Sequence, residues 1–151
     1  MIEVKETLKV SAEAFFDQLV KSVAYDICTS TGKQITEEQI HQGYCYEKKM
    51  NSKLGQTRNV KVKITDFTVP VCYGAKFKSV AGTNIIRYTI EPLNEKEIMV
   101  TYTEDFKGES KSQDLNYSLM GAFYKRKAKK KTIRRLHDIE NYILSEENIS
   151  C

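Results

Sequence analysis

Five consecutive segments with alternating apolar and polar residues fill the middle of this chain, between residues 44 and 106. Successive side chains of a strand point to opposite faces, so each segment predicts a strand with one buried and one solvated face. Short turns separate the segments, which is typical of an antiparallel sheet. A sixth strand is predicted before the first helix, and a long basic helix closes the chain. This order predicts an α+β fold in which a curved antiparallel sheet wraps around the C-terminal helix and encloses space.

The first helix is predicted from its ends and from its apolar spacing. Ser11 suits an N-cap, and the segment 29–32, which ends in glycine, stops the helix. Thr36 and Gln39 have the spacing of a capping box, which predicts one further short turn.

The alternation also predicts which face of the sheet each residue occupies. We expect the first strand to pair with the segment from Ile98 to Phe106, and we expect tight turns at residues 82–84 and 92–96. The outer, solvated face should carry five basic residues: Lys61, Lys63, Lys76, Lys78 and Arg87.

Length and composition indicate one globular domain. The chain has 151 residues, of which 40% are hydrophobic and 29% are charged. We expect a domain over residues 1–145, followed by a short tail at 146–151. The first residues are charged where a signal peptide would be apolar, and no segment approaches the ~20 apolar residues of a membrane span. The expected location is therefore the cytoplasm.

The cysteines and histidines give no metal signature. The four cysteines are far apart in the sequence and form no CxxC pair, and only two histidines accompany them. We expect free thiols and neither a metal nor a cofactor. The cysteines are Cys28, Cys45, Cys72 and Cys151.

The positive charge is concentrated in one segment. The net charge is +4, but Lys125–Arg135 holds eight basic residues and no acid, so the rest of the chain has a net charge of −4. Such a run is either a solvated face or a surface for anionic lipid or an acidic partner. Nucleic acid is disfavoured, because only Tyr124 adjoins the run as an aromatic residue for base stacking.

The last helix carries two apolar stripes on opposite sides. Leu115, Leu119 and Met120 belong to the first stripe, and the second runs from Ala128 to Ile143. At 3.6 residues per turn the two stripes point about 170° apart. Either the chain bends near Gly121, or the first stripe faces something other than the sheet.

Three segments carry a family resemblance: VSAEAFFDQLVKSVAYDICTSTGK, the region from Gln39 to Tyr46, and Val100–Glu104. They resemble an uncharacterised family of small bacterial proteins. That family is similar to a branch of the helix-grip superfamily, which includes START lipid-transfer domains, pollen allergens of the birch type and polyketide cyclases. The resemblance implies a START-like helix-grip fold with a cavity between the sheet and the last helix, usually for an apolar ligand. It implies no reaction, because one scaffold supports transport, binding and catalysis.

Aromatic residues on the inward faces are the candidate lining of such a cavity. They are either ordinary core or the wall of a pocket in which a few hydroxyl groups orient a small apolar or amphipathic ligand. The small residues of the last helix would leave room beside the sheet. The candidate ligand-binding residues are Tyr46, Tyr73, Phe77, Tyr88, Tyr102, Glu104, Ala128 and Thr132.

Two acidic residues support a weaker alternative. Glu6 and Glu104 occupy inward positions of strands that should be neighbours. Two carboxylates in one apolar cleft would raise one pKa and supply a general acid or base. No second catalytic partner is apparent. The leading prediction is therefore a non-enzymatic ligand-binding protein, with a surface-binding module and an enzyme as alternatives.

Overall fold

A computed structural model of the chain describes residues 1–51, 57–108 and 121–149. The strands are β1 (Ile2–Leu8), β2 (Cys45–Asn51), β3 (Thr57–Thr68), β4 (Cys72–Ser79), β5 (Gly82–Asn94) and β6 (Glu97–Gly108). The helices are α1 (Ala12–Thr31), a 3-10 helix (Glu37–Gln39) and α2 (Gly121–Ile149).

The six strands form one sheet in the order β1-β6-β5-β4-β3-β2. Every neighbouring pair is antiparallel, and β1 pairs with β6 from Ile2 opposite Glu104 to Leu8 opposite Ile98. The predicted α+β helix-grip architecture is thus confirmed. The two terminal segments of the sequence meet at this edge, since α2 also packs on β1.

The ends of α1 follow from the predicted caps. The Ser11 hydroxyl oxygen accepts a hydrogen bond from the backbone N–H of Ala14 at 3.1 Å. At the other end Gly32 has φ +73°, and its N–H donates to the Cys28 carbonyl at 3.0 Å. Between these caps the helix buries its apolar face, including Phe15 and Ile27, in the core.

The faces of the sheet lie as the alternation predicts. Most apolar residues of the inward face are buried or half-buried, with Met50 at the end of β2 exposed, and the five basic residues of the predicted outer face are all exposed. Two turns differ from their predicted positions. The turn between β4 and β5 falls at residues 80–81, and β5 runs on through Pro92 to Asn94 with an irregularity there. Asn84 therefore lies within β5, on its inward face.

The C-terminal half of α2 packs by its second stripe. Leu136 and Ile143 are buried, and Thr132 is buried one turn before Leu136. The helix continues through Ile149, four residues beyond the predicted end of the domain at 145. Gly121, the first residue of α2, has φ +50°, outside the right-handed helical region. The choice between a bend near Gly121 and a first stripe that faces something other than the sheet stays open. Residues 115–120 of the first stripe lie outside the described residues.

A histidine fastens α2 to β1. His137 Nε2 lies 3.0 Å from Glu6 Oε2, and its Nδ1 lies 2.9 Å from Glu140 Oε1. The other Glu140 oxygen accepts the backbone N–H of Lys9 at 2.6 Å. Only a protonated imidazole donates from both nitrogens. The hydrogen bonds to Glu140 and Glu6 accordingly raise the pKa of His137.

The contribution of His137 to stability should be pH-dependent. Because its folded pKa is raised, the contribution is fully present below the unfolded value near 6.5 and is lost as the pH rises through the folded value. The side chain is 40% exposed, so we expect less than about 1 kcal/mol. The measurement is the free energy of unfolding against pH for wild type and His137→Gln. The two curves should converge at high pH, and a constant gap across the range would contradict the assignment. The matched control is His41→Gln, at a histidine with no carboxylate contact among the described residues.

Candidate functional site

A cavity of about 360 Å³ lies between the inward face of the sheet and α2. Strands β2 to β6 form its floor and walls, and one side chain of α2 borders it. Its apolar lining is Met50, Val60, Phe77, Ile86, Tyr102 and Phe106. Its polar lining is Lys48, Ser79, Asn84, Glu104 and Arg135, together with Gly82.

The strand register explains which side chains meet at the cavity. Across β4, β5 and β6, Ala75 lies opposite Ile86, and Ile86 lies opposite Glu104. The next row towards the end of the sheet places Phe77, Asn84 and Phe106 side by side. Ile86, Phe77 and Phe106 thus form part of the apolar wall of the cavity, and Asn84 and Glu104 bring polar groups into it.

One side of the cavity carries a polar cluster. Asn84 Nδ2 donates to Glu104 Oε1 at 2.8 Å. The guanidinium carbon of Arg135 lies 5.4 Å from the ring centroid of Tyr102. Burial and the Glu104 carboxylate raise the pKa of Tyr102. Burial acts against the charge of Arg135, but Tyr88, Tyr102 and Glu104 outweigh it and raise the pKa of Arg135, which stays cationic.

On the other side of the cavity, Lys48 of β2 contacts a carboxylate of α1. Lys48 Nζ lies 3.0 Å from Asp26 Oδ2 and 5.2 Å from the ring centroid of Phe77. Asp26 also accepts a hydrogen bond from the Tyr46 hydroxyl. Burial and this bond raise the pKa of Tyr46. Lys48 and Tyr46 therefore already have a partner within the protein.

The central tyrosines form a packed aromatic row. The Tyr88 and Tyr102 rings lie 4.9 Å apart between centroids, and the Tyr73 and Tyr88 rings lie 6.3 Å apart. The ring of Phe15 in α1 lies 6.4 Å from the Tyr88 ring between centroids. Burial raises the pKa of Tyr73 and of Tyr88. The row belongs to the core beneath α1, and Tyr102 is its member that reaches the cavity.

The structure brings three of the eight predicted ligand-binding residues together at the cavity: Phe77, Tyr102 and Glu104. The other five do not line it: Tyr46, Tyr73, Tyr88, Ala128 and Thr132. Ala128 and Thr132 instead face the apolar core. The ligand contacts of all eight stay a prediction.

Two polar residues of the cavity were missed by the sequence interpretation. Arg135 belongs to the basic run, but it follows Thr132 by three residues and so shares its side of the helix, where it lines the cavity. The composition of residues 82–84 predicts a turn, but Asn84 continues the alternation of Ile86 and Tyr88 within β5. Both spacings were present in the sequence, but the charge and the turn-like composition hid them.

The two candidate acidic residues do not share a cleft. Glu104 lies opposite Ile2, whereas Glu6 lies opposite Val100, four residues further along the strand. At 3.3 Å per residue this separates their positions by about 13 Å. Glu6 contacts His137, and Glu104 contacts Asn84.

The basic run is exposed along most of its length. Within the described residues, none of the ion pairs involves it. Its exposed members besides Arg135, whose guanidinium reaches the cavity, are Arg126, Lys127, Lys129, Lys130, Lys131 and Arg134.

The described residues contain no group of three or more histidine, cysteine or acidic side chains placed to hold a metal ion. In the same part of the chain, no helix is both long and apolar enough to cross a membrane.

Several solved structures share this fold at low sequence identity. Ara h 8.0201 superimposes with a TM-score of 0.58 at 16% identity, over 95% of this chain and 96% of that one. A point mutant of norcoclaurine synthase from Thalictrum flavum, in complex with a transition-state analogue, gives 0.64 at 8% identity, over 97% and 94%. A conserved protein from Geobacillus kaustophilus gives 0.56 at 15% identity, over 95% and 94%. At these identities the similarity shows the fold alone.

No curated protein matches the chain. A family model does: the family described as a domain of unknown function, DUF3284, matches residues 2–125. The match covers most of the chain, including the whole sheet and α1. The protein is therefore a member of the DUF3284 family with a helix-grip fold.

Proposed function

We propose that the protein binds a small apolar or amphipathic molecule in the cavity between the sheet and α2. The observation that carries this proposal is the cavity itself, about 360 Å³ in volume, with apolar walls and a polar cluster on one side. This volume is within the range of about 300–1,000 Å³ of small-molecule sites, which combine apolar walls with a few placed polar groups.

The polar cluster favours an amphipathic ligand. The Arg135 guanidinium borders the cavity, and no carboxylate lies within ion-pair distance of it among the described residues. It can receive a polar or acidic head group together with the Tyr102 hydroxyl, while the ligand's apolar part contacts Val60, Phe77 and Ile86. Lys48 is held by Asp26 and is less available.

The alternatives have weaker support. The exposed basic run remains a candidate surface for anionic lipid or an acidic partner. An enzyme would rest on Glu104 alone at the cavity, because Glu6 lies elsewhere. The cytoplasmic location and the domain boundary at residue 145 stay predictions.

Filling the cavity should weaken ligand binding. Val60→Phe places a ring in the cavity, so the affinity for the neutral fluorescent probe N-phenylnaphthylamine should fall at least about tenfold, a loss of about 1.4 kcal/mol. The affinity is measured by fluorescence titration, and circular dichroism checks the fold. Val60→Ile, which adds one methylene group, is the matched control and should retain binding. If the wild-type protein binds no such probe, the cavity is part of an ordinary core and the proposal fails.

The head-group site has its own readout in the same titration. Tyr102→Phe removes only a hydroxyl group. It should therefore lower the affinity for the sulfonated probe anilinonaphthalene sulfonate more than the affinity for the neutral probe. Equal weakening of both probes would show that Tyr102 acts only as part of the wall.

A further inference from the structure

The outer face of the sheet holds four lysines in two directly opposed pairs. Lys61 of β3 lies opposite Lys78 of β4, and Lys63 lies opposite Lys76. All four side chains are exposed. They lie on the opposite face of the sheet from the cavity, so their role is independent of the function proposed above.

This arrangement acts against stability. Directly opposed residues have their Cβ atoms about 4.5–5.5 Å apart, and like charges at such positions are destabilising. The two pairs follow each other at about 6.7 Å along the strands. The ion pairs among the described residues lie elsewhere, at Lys21, Lys48 and Arg87 for example.

The other charges of this face do not neutralise the group. Glu47 of β2 lies opposite Lys61 and is its one acidic cross-strand neighbour. Lys49 adds a further positive charge on β2. On β5, Arg87 Nη2 lies 3.9 Å from Asp66 Oδ1. Among the described residues, Glu47 is thus the one carboxylate directly opposite any of the four lysines, and Asp66 in the next row lies beside Arg87.

The surface at the lysines is hollow. A depression of about 510 Å³ is bordered by all four lysines, and a neighbouring depression of about 650 Å³ shares Lys61 and Lys78. A hollow of this size accommodates a small molecule, whereas a stable protein interface buries about 800 Å² on each partner. Small size and positive charge together indicate a compact anion.

We propose that the four lysines bind a compact anion that carries two or more phosphate groups. The lysine ammonium group is a compact point charge and a common phosphate ligand. The two opposed pairs place four such charges close together on adjacent strands. This arrangement suits a molecule with several phosphate groups better than a molecule with a single phosphate group. Binding relieves the repulsion between the pairs. The anion is either soluble or the phosphorylated head group of a lipid.

The test uses isothermal titration calorimetry of the full chain with tripolyphosphate and with orthophosphate. The wild type should bind tripolyphosphate more tightly than orthophosphate, and binding should weaken at high salt because exposed charges are screened. Lys63→Glu, which places a carboxylate opposite Lys76, should weaken tripolyphosphate binding at least about tenfold. The same variant should raise the Tm without ligand by about 2 °C, because an opposed like-charge pair becomes an attractive one.

Two further variants test whether the anion binds at these lysines or responds only to the positive charge of the chain. Lys130→Glu makes the same charge change in the exposed basic run of α2, and it should leave the affinity for tripolyphosphate unchanged. Adding Lys76→Glu to Lys63→Glu restores like charges, so the Tm should return towards the wild-type value without restoring binding. The proposal is overturned if Lys63→Glu leaves the affinity unchanged, or if Lys130→Glu lowers it equally.

A vesicle arm identifies the source of the phosphate groups. Vesicles with phosphatidylinositol bisphosphate should sediment wild type but not Lys63→Glu if the anion is a lipid head group. Binding of tripolyphosphate alone, with the same dependence on Lys63, assigns a soluble anion. Tighter binding of single-stranded RNA than of tripolyphosphate, lost in the same variant, would overturn the assignment to a compact anion.

Discussion

Leu136→Ala should lower the free energy of unfolding by about 2–5 kcal/mol, the range for deleting a fully buried leucine side chain. Leu136 has no exposed surface, and it belongs to the stripe by which α2 packs on the sheet. The substitution removes apolar contacts and leaves a space that the rigid strands can fill only in part. Urea denaturation with linear extrapolation measures the change.

Leu93 provides the matched control for this experiment. It is the same residue type in β5, but it is 46% exposed, so Leu93→Ala should change the free energy of unfolding by less than about 1 kcal/mol. Similar losses in the two variants would mean that α2 does not pack on the sheet through Leu136.

Gly82→Ala should destabilise the protein by about 3 kcal/mol or more, because two penalties combine. Gly82 has φ +147°, a backbone conformation that side chains rarely adopt. A Cβ atom at this position would collide with the backbone carbonyl oxygen of Lys107 and lie 2.9 Å from the Cα of Gly108. These are backbone atoms of β6, so the strand would have to shift. Thermal and urea denaturation both report the loss.

Gly32 separates the two penalties. It also has a positive φ, at +73°, but a Cβ atom there would meet nothing within 4 Å. Gly32→Ala therefore carries only the backbone penalty, about 1 kcal/mol. If the two variants lost equal stability, the close approach of β5 and β6 at Gly82 would not be the cause.

The local sequence was sufficient for the elements and their faces. The alternation around Val60, Val62 and Ile64 predicted a strand with the intervening lysines outside, and the structure confirms this orientation. Ser11 and Gly32 predicted the ends of α1 because capping depends only on residues within the same turn. The pairing of β1 with β6 was also predicted.

The contents of the candidate site were predicted less well. Phe77, Tyr102 and Glu104 were expected at the cavity and lie there, but Arg135 and Asn84 were not expected. Whether an inward-facing residue meets a space or a neighbour depends on the residues beside it on other strands. Tyr88 faces inward as Tyr102 does, yet Phe15 of α1 covers it and no space remains at its ring.

The sequence by itself determined the antiparallel sheet, its solvated lysine face, the caps of α1 and the dense charge of α2, because each depends on residues close together in the chain. Only the tertiary structure decided that His137 contacts Glu6, that Arg135 lies beside Tyr102, and that a cavity opens beside Phe77, Asn84 and Glu104. These features depend on the register of strands far apart in the sequence and on the docking of α2 against β1. Side-chain periodicity fixes the face of a residue, but the partner across that face is chosen by packing between elements.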